Sequence, residues 1–437
     1  MEDLYKVKLI CQLPTSSPLL SLLLIFLFPM EPLEIPSYFL CPISLEIIRD
    51  PVTLPTGITF DRDSIERWIL DAKHSTCPVT RRPLPDCELT PNHTLRRLIQ
   101  AWCALHSPSG VEMFPTPRTP VGERQIAELL EAAMAPQSRL TSLRKLKAVV
   151  SESHRNKRYV ETTPGVIDFA AFVIMNYASN SVEDEEETRA CDEALIILQT
   201  LEISQEGLLD LLAKNANIIE SLTTILRRSN GQSRSYATLL LRSLLGVFSP
   251  ARSIGLHAEL FQEMVNVLRD RISHQATKAS LHALVRLCPW GTNRTKAVEA
   301  GAVHVLVELL LEDPERRVTE LVLAALDRLC GCAEGRTELV RHRAAIPAVS
   351  KKILQVSQLA SEKAVRILRT LARHSPAAEL LEEMLQLGVV TKLCLVLRVG
   401  CGGKTEEKAR QILRLHSRVW MHSLCLHPHL RLSYPTL

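Results

Sequence analysis

Five side chains that could bind a metal or attack a substrate occur early in the chain: Cys41, His74, Cys77, Cys87 and Cys103. Structural zinc is usually held by paired ligands such as Cys-x2-Cys, repeated at a fixed distance. No Cys-x2-Cys pair occurs in this stretch. The closest cysteine pair in the chain, Cys330-Gly331-Cys332, has a spacing that suits zinc poorly. We therefore predict that the protein binds no metal and needs no cofactor.

Cys41 and Cys77 could instead be nucleophiles. Each precedes a proline in a short loop, and neither lies in a Gly-rich elbow or a recognisable Cys-His arrangement. The chain also lacks a phosphate-binding P-loop, a dinucleotide fingerprint and an HExxH motif. We interpret both cysteines as packed structural thiols and expect no covalent catalysis.

Short elements position these residues. Residues 51–54 and 58–60 are strand-like runs around Pro55-Thr56-Gly57, which predicts a hairpin. A capping box at residues 63–66 predicts a helix that ends near His74. After Pro91, Asn92 can cap a second helix, whose apolar positions share one face. Two loops should therefore flank a central helix that a second helix closes.

Ile43, Leu45, Pro78 and Trp68 are apolar residues on or beside the two loops, where polar residues are more usual. Apolar side chains grouped in this way favour a docking site for another protein. Alternatively, they form a small local core.

The composition favours helices. Aromatic residues make up 4% of the 437 residues and glycine is scarce, with 16 copies. The 52 basic and 48 acidic residues are spread through both halves, which argues against a nucleic-acid partner. Several of the twelve cysteines lie on apolar helix faces, as Cys288, Cys330 and Cys394 do. Such buried thiols suit a reducing compartment, and we expect a cytoplasmic protein.

Residues 1–29 are predicted to be an N-terminal extension without structure. They contain a ten-residue apolar run, 19–28, that is too short to span a membrane. A membrane contact is expected only if this run acts as a tether, and an export signal is the third reading.

A Pro-rich segment, 107–122, is predicted to link a domain at 30–106 to an internal repeat at 123–437. Apolar helices recur at 194, 237, 279, 321, 364 and 409, and a second series of closing helices keeps a similar spacing. Gly165, Gly301 and Gly388 precede closing helices, where the chain must reverse. A period near 42 residues with three helices per unit is typical of armadillo or HEAT solenoids.

Such a solenoid leaves a long groove for a partner, which we expect the closing helices to line. Groove-facing candidates of mixed charge are Glu308, Lys351, Lys352, Lys392 and Arg398, each also readable as a solvated surface charge. The acidic run at 183–187, which interrupts the first spacing, is predicted to be a solvated loop.

Residues 35–104 resemble a U-box, the RING-like ubiquitin-ligase domain that folds without zinc. The successive blocks LCPISLEIIRDPV, TGITFDRDSIERW, CPVTRRPL and LTPNHTLRRLI carry the resemblance. Together with the repeats, the chain resembles plant U-box/armadillo ubiquitin-protein ligases of the group linked to stress and immune signalling. The expected fold is thus an α-helical armadillo solenoid preceded by a small α+β U-box.

The resemblance implies a ligase that forms no covalent intermediate. Ile43, Leu45, Trp68 and Pro78 would contact a ubiquitin-conjugating enzyme charged with ubiquitin, and Arg81 matches the linchpin that holds the conjugate. The polar network that replaces zinc would consist of Glu46, Asp61, Arg62 and Asn92. The repeats would recruit a protein substrate. A non-catalytic adaptor with a vestigial U-box is the alternative, and a nuclear-import receptor is disfavoured because the chain has only four tryptophans.

Overall fold

The computed structural model describes residues 35–71, 75–84, 89–106, 123–152, 154–179, 184–375, 377–421 and 434. These residues form two compact units divided after Pro120. The predicted extension at 1–29 and the predicted linker at 107–122 lie outside the described residues.

The first unit contains a three-stranded antiparallel sheet in the order β2-β1-β3. Strands β1 (Pro51–Thr53) and β2 (Thr59–Asp61) form the predicted hairpin, in which Gly57 has a φ of 83° that suits a glycine. The third strand, β3 (Thr90–Pro91), pairs with β1. The sequence did not predict β3, because two residues show no periodicity.

The central helix α1 (Arg62–Glu66) begins two residues earlier than a capping box at residues 63–66 would allow, so that prediction is wrong. Asp61 occupies the N-cap position, but its carboxylate does not cap the helix. The chain continues as a π-helical turn, Arg67–Asp71, and the predicted end near His74 lies outside the described residues. Helix α2 (His93–His106) begins after Asn92, whose side-chain oxygen accepts a hydrogen bond from the Leu95 NH at 3.0 Å. The cap predicted at Asn92 is confirmed.

A small core holds the first unit together. Phe60 and Ile65 are completely buried, and Val52 and Ile99 pack with them, so the sheet and both helices contribute. Ile43, Trp68 and Trp102 pack against this core from partly exposed positions.

The second unit is entirely helical in its described residues. Two helices come first, α3 (Glu123–Met134) and α4 (Pro136–Glu152). The first two three-helix repeats are α5 (His154–Thr162), α6 (Val166–Ser179), α7 (Glu185–Thr200), and α8 (Gln205–Lys214), α9 (Ile218–Leu226), α10 (Gly231–Gly246). The next two are α11 (Pro250–Ile254), α12 (Ala258–Asp270), α13 (His274–Leu287), and α14 (Gly291–Glu299), α15 (Ala302–Leu311), α16 (Arg316–Leu329). The last two are α17 (Ala333–Arg341), α18 (Ala345–Lys351), α19 (Gln358–His374), and α20 (Ala378–Gln386), α21 (Val389–Val399), α22 (Gly403–Leu415), followed by α23 (Ser417–Trp420).

Neighbouring repeats bury a continuous core between them. The third helices of successive repeats, α7, α10, α13, α16, α19 and α22, pack against one another in order. The second helices α6, α9, α12, α15 and α18 form a parallel series. These are the two helix series that the sequence predicts, and the armadillo fold is confirmed.

Turns between helices repeat as well. Gly165, Gly301 and Gly388 adopt positive φ angles of 89°, 81° and 70° before α6, α15 and α21, as predicted from their places in the sequence. Arg271 and Asp313 both have a φ of 53° in the turns that precede the third helices α13 and α16. The tight turn therefore places these two residues in a left-handed conformation, which is unfavourable for L-amino acids.

The described part of the acidic run, residues 184–187, begins a helix and does not form the predicted loop. Asp184 caps α7, and its carboxylate accepts a hydrogen bond from the Glu187 NH at 3.4 Å. Glu185, Glu186 and Glu187 form the first turn. Carboxylates at a helix N-terminus interact favourably with the helix dipole, which explains why a run of like charges folds here.

The predicted burial of Cys288, Cys330 and Cys394 is confirmed. Burial raises the pKa of Cys288 to about 12 and that of Cys394 to about 11. Within the described ranges, no helix is both long and apolar enough to cross a membrane.

Candidate functional site

Two loops of the first unit share one backbone geometry. In loop 1, residues 41–46, the Leu45 NH donates to the Cys41 carbonyl at 2.8 Å and the Cys41 NH donates to the Glu46 carbonyl at 2.8 Å. In loop 2, residues 77–82, the same two bonds join Arg81 to Cys77 and Cys77 to Arg82, each at 2.9 Å. A single β-bridge closes each loop, Leu40 with Ile47 and Thr76 with Pro83. The sequences CPISLE and CPVTRR therefore form matching turns.

Apolar side chains project from both turns. Leu45 is 75% exposed and Val79 is 50% exposed, whereas Ile43 and Pro78 are half-buried. Val79 occupies the position in loop 2 that Ile43 occupies in loop 1. The sequence analysis missed Val79, although the repeated pattern Cys-Pro-Ile/Val-Ser/Thr could have revealed it. Exposed apolar residues on these two turns provide surface that another protein can cover.

Arg81 lies at the last turn position of loop 2. Its side chain is exposed, and its φ of 58° is left-handed, as the φ of 60° at Leu45 is. Within the described part of the chain, the Arg81 guanidinium forms no ion pair or hydrogen bond. It is therefore available to donate to groups of another protein.

Trp68 connects the central helix to loop 2. Its indole NH donates to the Thr76 carbonyl at 2.9 Å, just before the loop begins. The ring is half-buried and packs against the core. Trp68 can thus fix the position of loop 2 and also contribute its exposed edge to a docking surface.

The thiol of Cys77 lies beneath loop 2 and is 1% exposed. Burial raises the pKa of Cys77, but hydrogen bonds from the Thr56 and Thr80 hydroxyls and from the NH groups of Thr80 and Val79 outweigh it and lower the pKa to about 7. The Thr56 hydroxyl lies 3.5 Å from the Cys77 sulfur. In loop 1, the Cys41 sulfur accepts a hydrogen bond from the Asp61 NH at 3.3 Å. Both thiols therefore act as acceptors that hold their loops to the sheet.

A polar network joins the hairpin to both helices. One carboxylate oxygen of Asp61 accepts hydrogen bonds from the NH groups of Arg49 and Asp50, at 2.8 and 3.0 Å. The Arg62 Nε donates to Asp50 at 2.7 Å, and Arg96 of α2 forms an ion pair with the other oxygen of Asp50. Asp50 and Arg96 belong to this network although the sequence analysis did not select them. Their 46-residue separation leaves no local pattern to find.

Asn92 also belongs to the network. Its NH donates to the Pro51 carbonyl at 2.8 Å, so it joins β1 to the start of α2 while its side chain caps the helix. Glu46 does not belong to it. The Glu46 side chain is exposed and makes no polar contact with the residues that the structure describes. Its backbone supports loop 1, because its carbonyl accepts from the Cys41 NH and its NH donates to the Ser44 hydroxyl at 3.4 Å.

The second unit contains an arginine-lined pocket of about 650 Å³ on its third helices. Arg242 of α10, Arg286 of α13 and Arg328 of α16 line it, together with Phe248 and Trp290. Arg286 donates to the Gly246 carbonyl at 3.0 Å, whereas Arg242 and Arg328 have no polar partner in the described ranges. His282 also lines the pocket. Its pKa is lowered, first by burial and then by the nearby cations Arg242, Arg317 and Lys278.

The groove candidates from the sequence do not line this pocket, because all five lie on or directly after second helices. Lys352 is only 2% exposed and binds Asp313, so it is not a solvated surface charge. Lys351 also binds Asp313, and Lys392 donates to the Ser350 carbonyl at 2.8 Å. Glu308 contacts His342, and Arg398 is exposed.

These two units define the class of the protein. Residues 35–108 match the family described as the U-box domain, and residues 125–435 match the plant U-box protein ARM repeat region. A U-box followed by armadillo repeats is the architecture of a ubiquitin-protein ligase.

The chain belongs to the plant U-box/armadillo-repeat family of ubiquitin-protein ligases. It is 51% identical to the E3 ubiquitin-protein ligase PUB23 of Arabidopsis thaliana, over 93% of this chain and 98% of PUB23. It is 46% identical to PUB22 of the same organism, over 93% of this chain and 99% of PUB22. The predicted family and ubiquitin-transferase activity are confirmed, and a non-catalytic adaptor is disfavoured.

Solved structures support the fold. A structure from work on the interaction between cadherin and beta-catenin aligns with a TM-score of 0.56 at 16% identity, covering 74% of this chain and 58% of that chain. At this identity the likeness shows the armadillo fold alone.

Proposed function

We propose that loops 1 and 2 of the U-box bind a ubiquitin-conjugating enzyme charged with ubiquitin. The observation that carries the proposal is the matched geometry of the two loops, which exposes Leu45 on one turn and Val79 on the other, near Ile43 and Pro78 in the sequence. A central apolar cluster with a polar rim is the usual composition of a protein-binding site. Trp68 supports this surface from behind by its bond to Thr76.

Arg81 holds the charged conjugate in a reactive orientation in this proposal. Its guanidinium is exposed at the end of loop 2 and offers several NH donors in a fixed plane. Hydrogen bonds to carbonyls of both the conjugating enzyme and ubiquitin would restrict the thioester to geometries that a lysine can attack. The neutral substrate amine then adds to the thioester carbonyl, the C–S bond breaks, and an amide bond forms. The amine nitrogen loses one proton, which balances the charge of the conjugating-enzyme thiolate that leaves. No residue of the U-box forms a covalent intermediate with ubiquitin.

The docking proposal is tested by Val79→Ala and Ile43→Ala in the full chain, with Glu46→Ala as the matched control, because the Glu46 side chain makes no polar contact in the described residues. The affinity for a conjugating enzyme is measured by titration calorimetry, and ubiquitin transfer by autoubiquitination. We expect each apolar variant to weaken binding about tenfold, as a hot-spot truncation does, and Glu46→Ala to bind normally. Val79→Ala is the sharper variant, since Val79 is half exposed and its loss should leave the core intact. Normal binding by both apolar variants would disprove the proposal.

The armadillo repeats recruit the substrate in this proposal, and the arginine-lined pocket supports this role. Arg242 and Arg328 have no polar partner among the described residues, and Phe248 and Trp290 provide apolar surface beside them. This combination fits an acidic segment of a protein. Carboxylates of the segment would pair with the guanidinium groups, and the apolar parts of its side chains would cover the rings of Phe248 and Trp290. The occupant is thus an acidic peptide segment of the substrate.

Charge reversal tests the substrate site. Binding of a fluorescent polyglutamate peptide to the full chain is compared for the wild type, for Arg242→Glu with Arg328→Glu, and for the control Arg398→Glu. We expect the double variant to lose binding and the control to retain it, with binding that weakens as salt increases. Equal binding by all three proteins would show that the pocket is not the site.

The cellular role completes the proposal: a cytoplasmic ligase that acts in plant stress or defence signalling. The resemblance to plant ligases of that group supports the role, and the buried thiols support a reducing compartment. The test is the localisation of the full chain and of a chain that starts at Met30, each fused to a fluorescent protein in plant cells. A membrane or secretory location for both would contradict it.

A further inference from the structure

Two histidines and one glutamate meet on the second unit: His304, Glu308 and His342. Their ligand atoms all lie within 4.8 Å of one another. His304 and Glu308 are four residues apart on α15, so they project from the same face of that helix. His342 lies at the end of α17, in the next repeat.

The fold, and not local sequence, brings His342 to this place. Its NH donates to the Glu338 carbonyl at 3.2 Å, and its carbonyl accepts from the Ala345 NH at 2.8 Å, which fixes the backbone between α17 and α18. Its Nε2 lies 3.2 Å from a Glu308 carboxylate oxygen, and its ring centre lies 5.0 Å from that of His304. The cluster therefore joins two neighbouring repeats.

The histidine–glutamate contact leaves one donor or acceptor unused. The His342 side chain is 14% exposed, and its Nδ1 is buried without a hydrogen-bond partner in the described part of the chain. His304 and Glu308 are exposed, so a dissolved ion can reach the cluster. A buried ring nitrogen without a partner indicates that the contact with Glu308 alone does not account for the arrangement.

We propose that His304, Glu308 and His342 bind a divalent transition-metal ion, with Zn²⁺ as the expected occupant. Two imidazoles and one carboxylate are a ligand set that zinc accepts, at metal–ligand distances of about 2.0–2.2 Å. Ligand atoms of a tetrahedral zinc are then about 3.4 Å apart, so small side-chain rotations from the present positions are sufficient.

The bound ion leaves a fourth position open to solvent, because the described residues supply three ligands. Neutral imidazoles and one carboxylate leave the complex with one net positive charge, so a water or a carboxylate of a bound protein suits this position. The ion also joins α15 to the turn after α17 and fixes the angle between these repeats. The site would thus both cross-link two neighbouring repeats and offer a coordination position to a partner.

The test is a titration of the full metal-free chain with Zn²⁺ and with Co²⁺, whose absorption spectrum distinguishes nitrogen and oxygen ligands from thiolates. The wild type should bind one equivalent, give a tetrahedral Co²⁺ spectrum without a thiolate charge-transfer band, and melt at a higher temperature with Zn²⁺. His304→Ala, Glu308→Gln and His342→Ala should each weaken binding by at least about tenfold.

Two controls separate this site from adventitious binding. His282→Ala removes a histidine outside the cluster, and Cys332→Ser removes the partly exposed thiol near Cys288. Both should bind like the wild type. His304 is exposed and Glu308→Gln keeps the shape of the side chain, so these variants should fold even if His342→Ala does not. No binding by the wild type, a thiolate spectrum, or unchanged binding by His304→Ala and Glu308→Gln would overturn the proposal.

Discussion

Leu45 and Arg81 occupy the same position in two matching turns, where each NH donates to the carbonyl of a cysteine four residues earlier. Both residues have left-handed backbones, with φ of 60° and 58°. One turn therefore presents an apolar side chain and the other a cation. This difference separates the roles of the loops, since apolar contact gives affinity while a guanidinium fork gives orientation.

Arg81→Gly should slow the discharge of ubiquitin from the conjugating enzyme to free lysine by on the order of tenfold or more. Hydrogen bonds to charged groups contribute about 1.5–3 kcal/mol, which corresponds to this range. Glycine is chosen because it accepts the left-handed backbone, so the turn remains intact. The rate is measured by single-turnover discharge at saturating ligase.

Arg82→Ala is the matched control for Arg81→Gly. Arg82 is exposed and adjacent, and only its carbonyl supports loop 2. It should discharge ubiquitin at the normal rate. If Arg81→Gly were equally active, or if both variants were equally slow, the orientation role of Arg81 would be refuted.

Asp61→Ala should destabilise the U-box by about 1–3 kcal/mol, because the NH groups of Arg49 and Asp50 would lose their acceptor. Glu46→Ala should change the stability by less than about 0.5 kcal/mol, since that side chain has no polar contact in the described residues. Hydrogen-exchange mass spectrometry of the full chain measures both effects on the hairpin. Equal protection in the two variants would contradict the assignment of the network.

Local signals in the sequence predict much of this fold. Gly57 predicts the hairpin turn, Asn92 the cap of α2, and the regularly spaced apolar helices the repeats, because each signal is contained in a short stretch of sequence. Contacts between distant residues are not predictable in this way. Asp50 with Arg96, and Arg242 with Arg328, become neighbours only after strands and helices have packed.

The acidic run shows the opposite failure. Five acidic residues in succession predict a loop when charge repulsion alone is considered, yet Glu185–Glu187 begin α7. The helix dipole and the Asp184 cap favour helix at this place, and both depend on where the helix begins. The sequence shows where the acidic residues are, but it does not show that they form the first turn of a helix.

The free energy of unfolding of the U-box should rise between about pH 7 and pH 9 through Cys77. The folded state lowers the pKa of this thiol from 9.0 to about 7. The thiolate's contribution is therefore complete above pH 9 and is lost as the pH falls through about 7. Scanning calorimetry of the full chain at several pH values measures this change in the free energy of unfolding. The U-box transition is recognised as the one that Asp61→Ala shifts to a lower temperature.

Cys77→Ala is the comparison for this pH dependence. The variant lacks the titrating group, so its U-box transition should rise less across the same interval, although its stability is lower throughout. Parallel pH profiles for the two proteins would show that Cys77 does not titrate near neutral pH.

Asp313→Asn should lower the melting temperature of the armadillo unit, because it removes the partner of a buried cation. Lys352 is 2% exposed, and Asp313 binds both it and the exposed Lys351. A buried ammonium without a counter-charge is destabilising, and asparagine keeps the left-handed backbone of residue 313. Thermal unfolding at neutral pH measures the loss.

Lys351→Ala is the control, since exposed ion pairs contribute little. It should melt close to the wild type, whereas Asp313→Asn should not. Hydrogen bonds from Lys351 and Lys352 lower the pKa of Asp313 to about 2. The contribution of the carboxylate is therefore fully present above pH 3.8 and is lost as the pH falls through about 2, so the two proteins should converge in stability at very low pH. A constant difference down to that pH would show that charge at residue 313 is not the cause.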